Sequence, residues 1–113
     1  MKTFLALFMG SLSADAPSPA DLSEETRNAG MAAWGAWMGQ HAAVIVDAGG
    51  PLGKTMKASK SGITDTRNAV GGYVIVRAEI HAEATALFKG HPHFTIFPGE
   101  SVEVMECLPI PGQ

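Results

Sequence analysis

The stretch KTFLALFM, residues 2–9, decides the fold because it is apolar at almost every position. A strand with one face in water alternates apolar and polar residues, whereas a strand that is buried on both faces does not. The segment GYVIVRA, Gly72–Ala78, has the same character. We therefore expect these two segments to form strands in a sheet that is covered on both sides.

Further elements surround these two strands. Ser18-Pro19 resembles a helix start, with a capping serine and proline at the first helical position, and Asp21 favours the positive end of the helix dipole. The remaining predicted elements are a helix from Pro19 to about Gln40, strands at Ala43–Asp47 and Lys54–Ser59, a polar connection at Ser61–Asn68, a helix at Ile80–Lys89 and a last strand at Val102–Leu108. This order predicts one α+β domain over residues 1–113, a ferredoxin-like antiparallel sheet with both helices on one face.

The two helices leave one face of this sheet without cover. Large exposed apolar surfaces usually mark interfaces. The simplest cover is a second copy of the chain, packed sheet to sheet about a two-fold axis. We therefore predict a homodimer.

Composition excludes several classes of partner. The chain has 113 residues, a formal net charge of -3 and no cluster of Lys or Arg, so nucleic acid is not an expected partner. No stretch approaches the roughly 18 apolar residues of a membrane span. The apolar run Phe4–Met9 is shorter than the roughly 7–15 residues of a signal-peptide core. We interpret it as a strand and expect a cytoplasmic protein, with a secreted protein as the alternative. The single Cys107 is expected to be buried in the last strand.

The most distinctive chemical feature is the block His91-Pro92-His93-Phe94. In an extended segment, side chains that are two residues apart point the same way, so the rings of His91 and His93 would lie on the same side of the chain. Histidine titrates near neutral pH, which makes His91 and His93 the candidate catalytic residues. The structural alternative is that one ring caps backbone carbonyls while the other is solvated. A metal site is an alternative, but it would need a third ligand, and nothing in the spacing brings the candidates His41 and Asp47 near the pair. We therefore predict no metal and no cofactor.

Candidate ligand-binding residues lie on the first helix and the strand after it: Trp34, Trp37, His41 and Asp47. The two tryptophans can stack on an aromatic ligand, but at helical spacing they also fit a core or a dimer contact. His41 can simply favour the negative end of the helix dipole. In the last strand, Glu103 and Glu106 point to opposite faces, so one of them must face a buried layer. A buried carboxylate can act as an acid or base or form an ion pair, and we expect an ion pair, for which Arg77 is available.

The chain resembles the YCII-related, DGPF-type domains of the dimeric α+β-barrel superfamily. The resemblance covers nearly the whole chain and rests on KTFLALFM, the turn VDAGGPLG, the strand GGYVIV and the ending HPHFTIFPGESVEVMECLP. It implies a dimer with a pocket between the sheet and the helices. Related barrels include isomerases and small oxygenases, and some YCII-like proteins are lyases acting on ring substrates.

Two positions depart from that family pattern. The family carries a histidine in the first helix and an aspartate before proline ahead of the final strand. Counted back from Gly50-Pro51, the helix position falls near Ala33 or Trp34, and the Asp-Pro position corresponds to His91-Pro92. Two hypotheses remain: a non-catalytic dimeric module that binds a small, ring-shaped organic molecule, or a small lyase or isomerase that uses His91 or His93 for proton transfer.

Overall fold

The computed structural model describes residues 1–112. Six strands and three α-helices occur in this part of the chain. In chain order they are β1 (Lys2–Met9), α1 (Glu24–Gln40), β2 (Ile45–Pro51), β3 (Thr55–Ser59), β4 (Gly62–Thr66), β5 (Val70–Ala78), α2 (His81–Ala86), α3 (Pro92–Thr95) and β6 (Ser101–Glu106).

Four strands form the main sheet in the order β2-β5-β1-β6, and every neighbouring pair is antiparallel. Because β1 and β5 occupy the two central places, they have a partner strand on each side. This is the order of a ferredoxin-like sheet, so the predicted α+β fold is confirmed.

The core lies between this sheet and the helices. Alternate β1 residues Phe4, Ala6 and Phe8 are buried, as are Val74 and Val76 of β5. The alternation follows from the two-residue repeat of a strand, which sends every second side chain to the helix side. The residues between them, such as Leu5 and Leu7, lie on the opposite face and are only half-buried. The sheet therefore has a second apolar face without a helix on it.

The first helical segment is divided into two pieces. Ser18 caps a short 3₁₀ turn, Pro19–Asp21, through a hydrogen bond from the Ala20 amide and a reciprocal bond from its own amide to the Asp21 carboxylate. Helix α1 begins only at Glu24, where the Ser23 hydroxyl accepts a hydrogen bond from the Thr26 amide. A helical turn therefore begins at Pro19 as predicted. It is separate from α1, which begins at Glu24 and not at Pro19.

The segment predicted as a polar connection is a strand. Residues 62–66 form β4, which pairs with β3 to make a separate two-stranded sheet. The connection was predicted because Ser, Thr and Asp dominate it, and no apolar alternation marks a strand. The polarity follows from its position, since both strands of this hairpin are exposed.

Several side chains in and near the last strand have a different exposure or a different partner from those predicted. Cys107 is exposed because β6 ends at Glu106, so the expected burial is wrong. Glu103 is exposed. Arg77 makes no ion pair among the described residues and instead donates to the Ala43 carbonyl at 2.9 Å. Glu106 lies 3.8 Å from Lys2, where both side chains remain partly exposed.

Helix α2 is shorter than the predicted Ile80–Lys89. Ala84 is buried, as is Phe88 just after the helix, whereas Ile80 precedes the helix and is 52% exposed. His81 is exposed, but its Nε2 lies 2.7 Å from the Val104 carbonyl of β6. Within residues 1–112 no helix has the length and apolar character that crossing a membrane requires.

Candidate functional site

The His91-Pro92-His93 block starts a helix, so the predicted extended segment is wrong. His91 has extended backbone angles, and α3 begins at Pro92. Proline favours this position because its fixed φ suits the first helical turn and its missing N–H needs no partner. The Nδ1 atom of His91 accepts a hydrogen bond from the His93 amide at 3.0 Å. His91 therefore caps the helix that carries His93.

His91 is completely buried among aromatic rings. Its ring centroid lies 4.5–5.9 Å from those of Phe8, Trp34, Trp37 and Phe88. Burial disfavours the charged imidazolium, and it is the main reason that the pKa of His91 is lowered from 6.5 to about 4. The charges that His93 and His41 carry when protonated lower this pKa further. His91 is therefore neutral at physiological pH.

The capping bond also fixes the tautomer of His91. Because Nδ1 accepts a hydrogen bond, the single proton of the neutral ring is on Nε2. That Nε2 atom is buried and has no hydrogen-bond partner in the described part of the chain. The Trp34 ring stands at 88° to the imidazole with its centroid 4.5 Å away, and aromatic faces attract N–H donors weakly. His91 thus caps helix α3 and exposes none of its surface to solvent.

His93 is held differently. Its Nε2 lies 2.8 Å from the carbonyl oxygen of Met9 at the end of β1. A carbonyl only accepts, so Nε2 carries the proton of the neutral ring. This leaves Nδ1 as the basic atom, and Nδ1 makes no hydrogen bond to the described residues. The ring is half-buried. The Nδ1 lone pair of His93 is therefore free, while the hydrogen bond from Nε2 to Met9 fixes the orientation of the ring.

Gly99 makes room for the His93 ring. A Cβ atom at position 99 would overlap both the imidazole and the His93 carbonyl oxygen. The Gly99 amide donates to that same carbonyl at 2.9 Å. The Pro98-Gly99 turn therefore lies directly against His93 because residue 99 has no side chain.

A cavity of about 720 Å³ lies beside His93. Its aromatic wall consists of Phe8, Trp34 and Phe97, whose rings lie within about 6 Å of one another or of His93. The other lining residues come from α1 (Met31, Met38), from the loop 10–19, from 48–51, from 71–74 and from Pro98-Gly99. No Lys, Arg, Asp or Glu lines this cavity in the described part of the chain. We call it the His93 cavity.

The predicted ligand-binding residues are dispersed by the fold. Trp34 lines the His93 cavity, but Trp37 lies in the core, 7% exposed, with its Nε1 donating to the Leu87 carbonyl at 2.9 Å. His41 lies in a separate open groove between α1 and α2, where its ring packs against Trp37. Asp47 is exposed and accepts a hydrogen bond from the Gly49 amide. Only Trp34 and His93 of the predicted site residues share the cavity wall.

Sequence reasoning did not assign Phe8 or Phe97 to the site. Phe8 was predicted only as part of a strand, since nothing in KTFLALFM distinguishes it from Phe4. Phe97 lies in a run of apolar residues before Pro98-Gly99, and that turn was the available signal. In the described residues, no cluster of three His, Cys, Asp or Glu side chains has the spacing of a metal site.

The fold and the cavity together define a small α+β protein with an apolar, histidine-containing cavity between sheet and helices. No family model matches the chain. No curated protein matches it either. Among solved structures, it is similar to the 5-chloro-2-hydroxyhydroquinone dehydrochlorinase TftG of Burkholderia phenoliruptrix AC1100, solved in complex with 2,5-dihydroxybenzoquinone. The TM-score is 0.53 at 22% identity, over 91% of this chain and 90% of the other. The similarity supports the fold.

Proposed function

We propose that the His93 cavity binds a small, uncharged, ring-shaped organic molecule. The observation that carries this proposal is the aromatic wall of Phe8, Trp34 and Phe97 around a single imidazole. Aromatic rings prefer offset or edge-to-face contacts with other rings, which a planar ligand can provide. Ligand sites are typically apolar cavities of roughly 300–1,000 Å³ with few polar groups, and this cavity has that size and composition.

The absence of ionised side chains from the described cavity wall defines the class of ligand. A charged molecule that leaves water needs an opposite charge or several hydrogen bonds in exchange. Here the polar groups are the imidazole of His93 and a few hydroxyls, which include those of Ser11, Ser13 and Ser18. A ring with one or two hydroxyl or carbonyl groups could form hydrogen bonds with these few polar groups.

Proton transfer by His93 is the second candidate function. It is favoured by the free Nδ1 atom, which can accept a proton while Nε2 remains bonded to the Met9 carbonyl. The similar structure is named as a dehydrochlorinase of a hydroxylated ring, a class of reaction in which the substrate loses a proton as well as chloride. His91 is not the candidate here because it has no exposed surface. We further propose that the chain is a divergent YCII-related protein.

Binding is tested with 5-chloro-2-hydroxyhydroquinone and with unsubstituted hydroquinone as probes, followed by tryptophan fluorescence and calorimetry. We expect saturable binding that weakens when Trp34 is replaced by Leu, whereas His41→Gln, outside the cavity, binds as the wild type does. Absence of binding by both rings to the wild-type protein would overturn the proposal for this ligand class.

Proton transfer is tested by chloride release from 5-chloro-2-hydroxyhydroquinone. His93→Gln retains an amide N–H that can reach the Met9 carbonyl but has no basic nitrogen, so it isolates the loss of the base. We expect turnover to fall by about 10²-fold or more while binding changes little. Equal turnover by His93→Gln and the wild type would exclude His93 as the base, and binding without any turnover by the wild type would favour the non-catalytic module.

We also propose that the chain forms a homodimer through the open face of the main sheet. Leu5 stands between Ile75 and Met105 in register across three strands, and none of these side chains has a helix above it. Leu7 and Tyr73 extend this apolar surface. Sedimentation equilibrium should show a dimer for the wild type and a monomer for Leu5→Lys. Leu12→Lys, a change at an exposed loop residue away from the sheet, serves as the control.

A further inference from the structure

The hairpin formed by β3 and β4 stands apart from the rest of the molecule. The two strands pair with each other, and neither packs extensively against another described element. Nearly all of its side chains are exposed. We call residues 54–67 the arm. An isolated two-stranded hairpin is marginally stable in water, so a lasting hairpin needs a surface to pack on.

One face of the arm carries three exposed apolar side chains. Met56, Ala58 and Ile63 share that face because they alternate along their strands and because Ala58 and Ile63 are cross-strand partners. Asp65, the partner of Met56, lies on the same face and is paired with Lys54 at 3.4 Å, whereas Lys57 lies on the opposite face. Met56 is 62% exposed and Ile63 is 72% exposed. These side chains gain free energy if the arm lies on another surface.

Charge is strongly segregated between the arm and the remaining chain. The arm contains Lys54, Lys57, Lys60 and Arg67 against the single acid Asp65, a formal charge of +3. Because the whole chain carries -3, the remainder carries -6. The acidic segment Glu100–Glu106 has three glutamates and no base, and it includes β6 at one edge of the main sheet. The arm leaves the sheet next to β2, at the opposite edge.

Two arrangements bring the open sheet faces of two copies together. If the two-fold axis runs parallel to the strands, the β2 edge of one copy lies over the β6 edge of the other. If the axis runs across the strands, β2 lies over β2, and two arms of charge +3 meet. Opposite charges favour the first arrangement, and like charges disfavour the second.

We infer that the arm of each copy packs on the β6 edge of a second copy of this chain, next to Glu100 and Glu103. This inference rests on the proposed face-to-face dimer. In this arrangement Met56, Ala58 and Ile63 gain cover, and the net positive charge of the arm lies close to the glutamates of the partner. The arm then contributes both to the stability of the dimer and to the choice of its two-fold axis.

A charge-swap experiment on the full chain tests the inference. The arm variant is Lys57→Glu/Lys60→Glu, and the edge variant is Glu100→Lys/Glu103→Lys. We expect each variant alone to dimerise about tenfold or more weakly in sedimentation equilibrium, because arm and edge then carry the same sign. An equimolar mixture of the two should form heterodimers with an affinity near that of the wild type, since each arm then meets an edge of opposite sign.

The control is Asp15→Lys/Glu83→Lys, which changes the net charge as much as the edge variant does at exposed positions away from both surfaces. Far-UV circular dichroism verifies folding, and the salt dependence of wild-type dimerisation gives a measurement that needs no variant. We expect salt to weaken the dimer.

The outcomes separate the inference from the dimer itself. Wild type that is monomeric at all accessible concentrations overturns both proposals. A dimer whose affinity is unchanged in the arm and edge variants, or insensitive to salt, overturns the arm contact alone. Failure of the mixture to form heterodimers also overturns it, as does preferential binding of the arm to nucleic acid rather than to a second copy.

Discussion

His91 and His93 lie two residues apart, yet the fold gives them opposite properties. His91 is sealed among aromatic rings with its lone pair engaged, whereas His93 has an unengaged Nδ1 beside a cavity. Both were predicted as catalytic candidates because their residue type and spacing are equivalent in the sequence. Only the helical turn at Pro92 distinguishes them, because it directs one ring into the core and the other toward the end of β1.

The lowered pKa of His91 predicts a pH-dependent loss of stability. The folded state has a pKa of about 4, below the 6.5 of the unfolded state, so protons bind preferentially to the unfolded chain. The free energy of unfolding should therefore fall as the pH drops from about 6.5 to about 4, by roughly 3–4 kcal/mol at most for this residue. Below the folded-state pKa this contribution levels off.

Urea denaturation from about pH 7 to about pH 4 measures this effect, with His91→Asn as the reference. Asparagine can still accept the hydrogen bond from the His93 amide but does not titrate in this range. The wild type should lose more stability than His91→Asn on acidification. Parallel pH profiles for the two proteins would show that the pKa of His91 is not lowered by folding.

Gly99→Ala tests the close approach to the His93 ring. The added methyl group would overlap the imidazole and the His93 carbonyl, so we expect a loss of about 1–3 kcal/mol and a displaced His93. The matched control is Gly53→Ala, where a Cβ atom has no heavy atom within 4 Å. Denaturation and the NMR shifts of the His93 ring measure the two effects, and a Gly99→Ala protein with unchanged shifts would contradict the packing described here.

At the scale of elements, α1 shows that two glycines in the same helix can have different roles. A Cβ at Gly30 would lie 2.6 Å from the Phe97 ring, whereas one at Gly35 would have no heavy atom within 4 Å. Gly30 therefore lets α1 approach the segment that follows α3. Gly35 has no such function and only lowers helix propensity.

This difference gives a paired prediction for the free energy of unfolding. Gly35→Ala should stabilise the protein by about 0.5–1 kcal/mol through helix propensity alone. Gly30→Ala gains the same propensity but must displace Phe97, so we expect a net loss of about 1 kcal/mol or more. Thermal or chemical denaturation of both variants tests the pair. If Gly30→Ala is as stabilising as Gly35→Ala, the close contact with Phe97 does not exist in solution.

The elements were predictable to the extent that their own residues decide them. KTFLALFM is a strand with the predicted bounds because its apolar, β-forming residues agree with its central place in the sheet. The hairpin strand β4 was missed because it gains order from pairing with β3, and its polar residues contain no alternation. The helix α3 was missed because four residues after His91 are too few to show a helical period.

At the scale of the whole molecule, the main sheet and the arm differ in how they are supported. Strands β1 and β5 each have two neighbours and a buried face, while the arm has only its own two strands. At dilution, where the chain is monomeric, amides of β1 and β5 should exchange with solvent at least about a hundredfold more slowly than those of β3 and β4. Equal protection of arm and central strands would show that the arm packs on its own molecule.

The sequence by itself determined that β1 and β5 are strands of the main sheet, because their residues are apolar on both faces. It also directed attention to the histidine block and to Trp34. Only the tertiary structure decided which histidine is buried and which lines the cavity, because that depends on the turn at Pro92 and on contacts from β1, more than 80 residues away. It likewise separated Trp37, His41 and Asp47 from that cavity. The sequence shows which residue types are present, but the cavity forms only where segments that are distant in the sequence pack together.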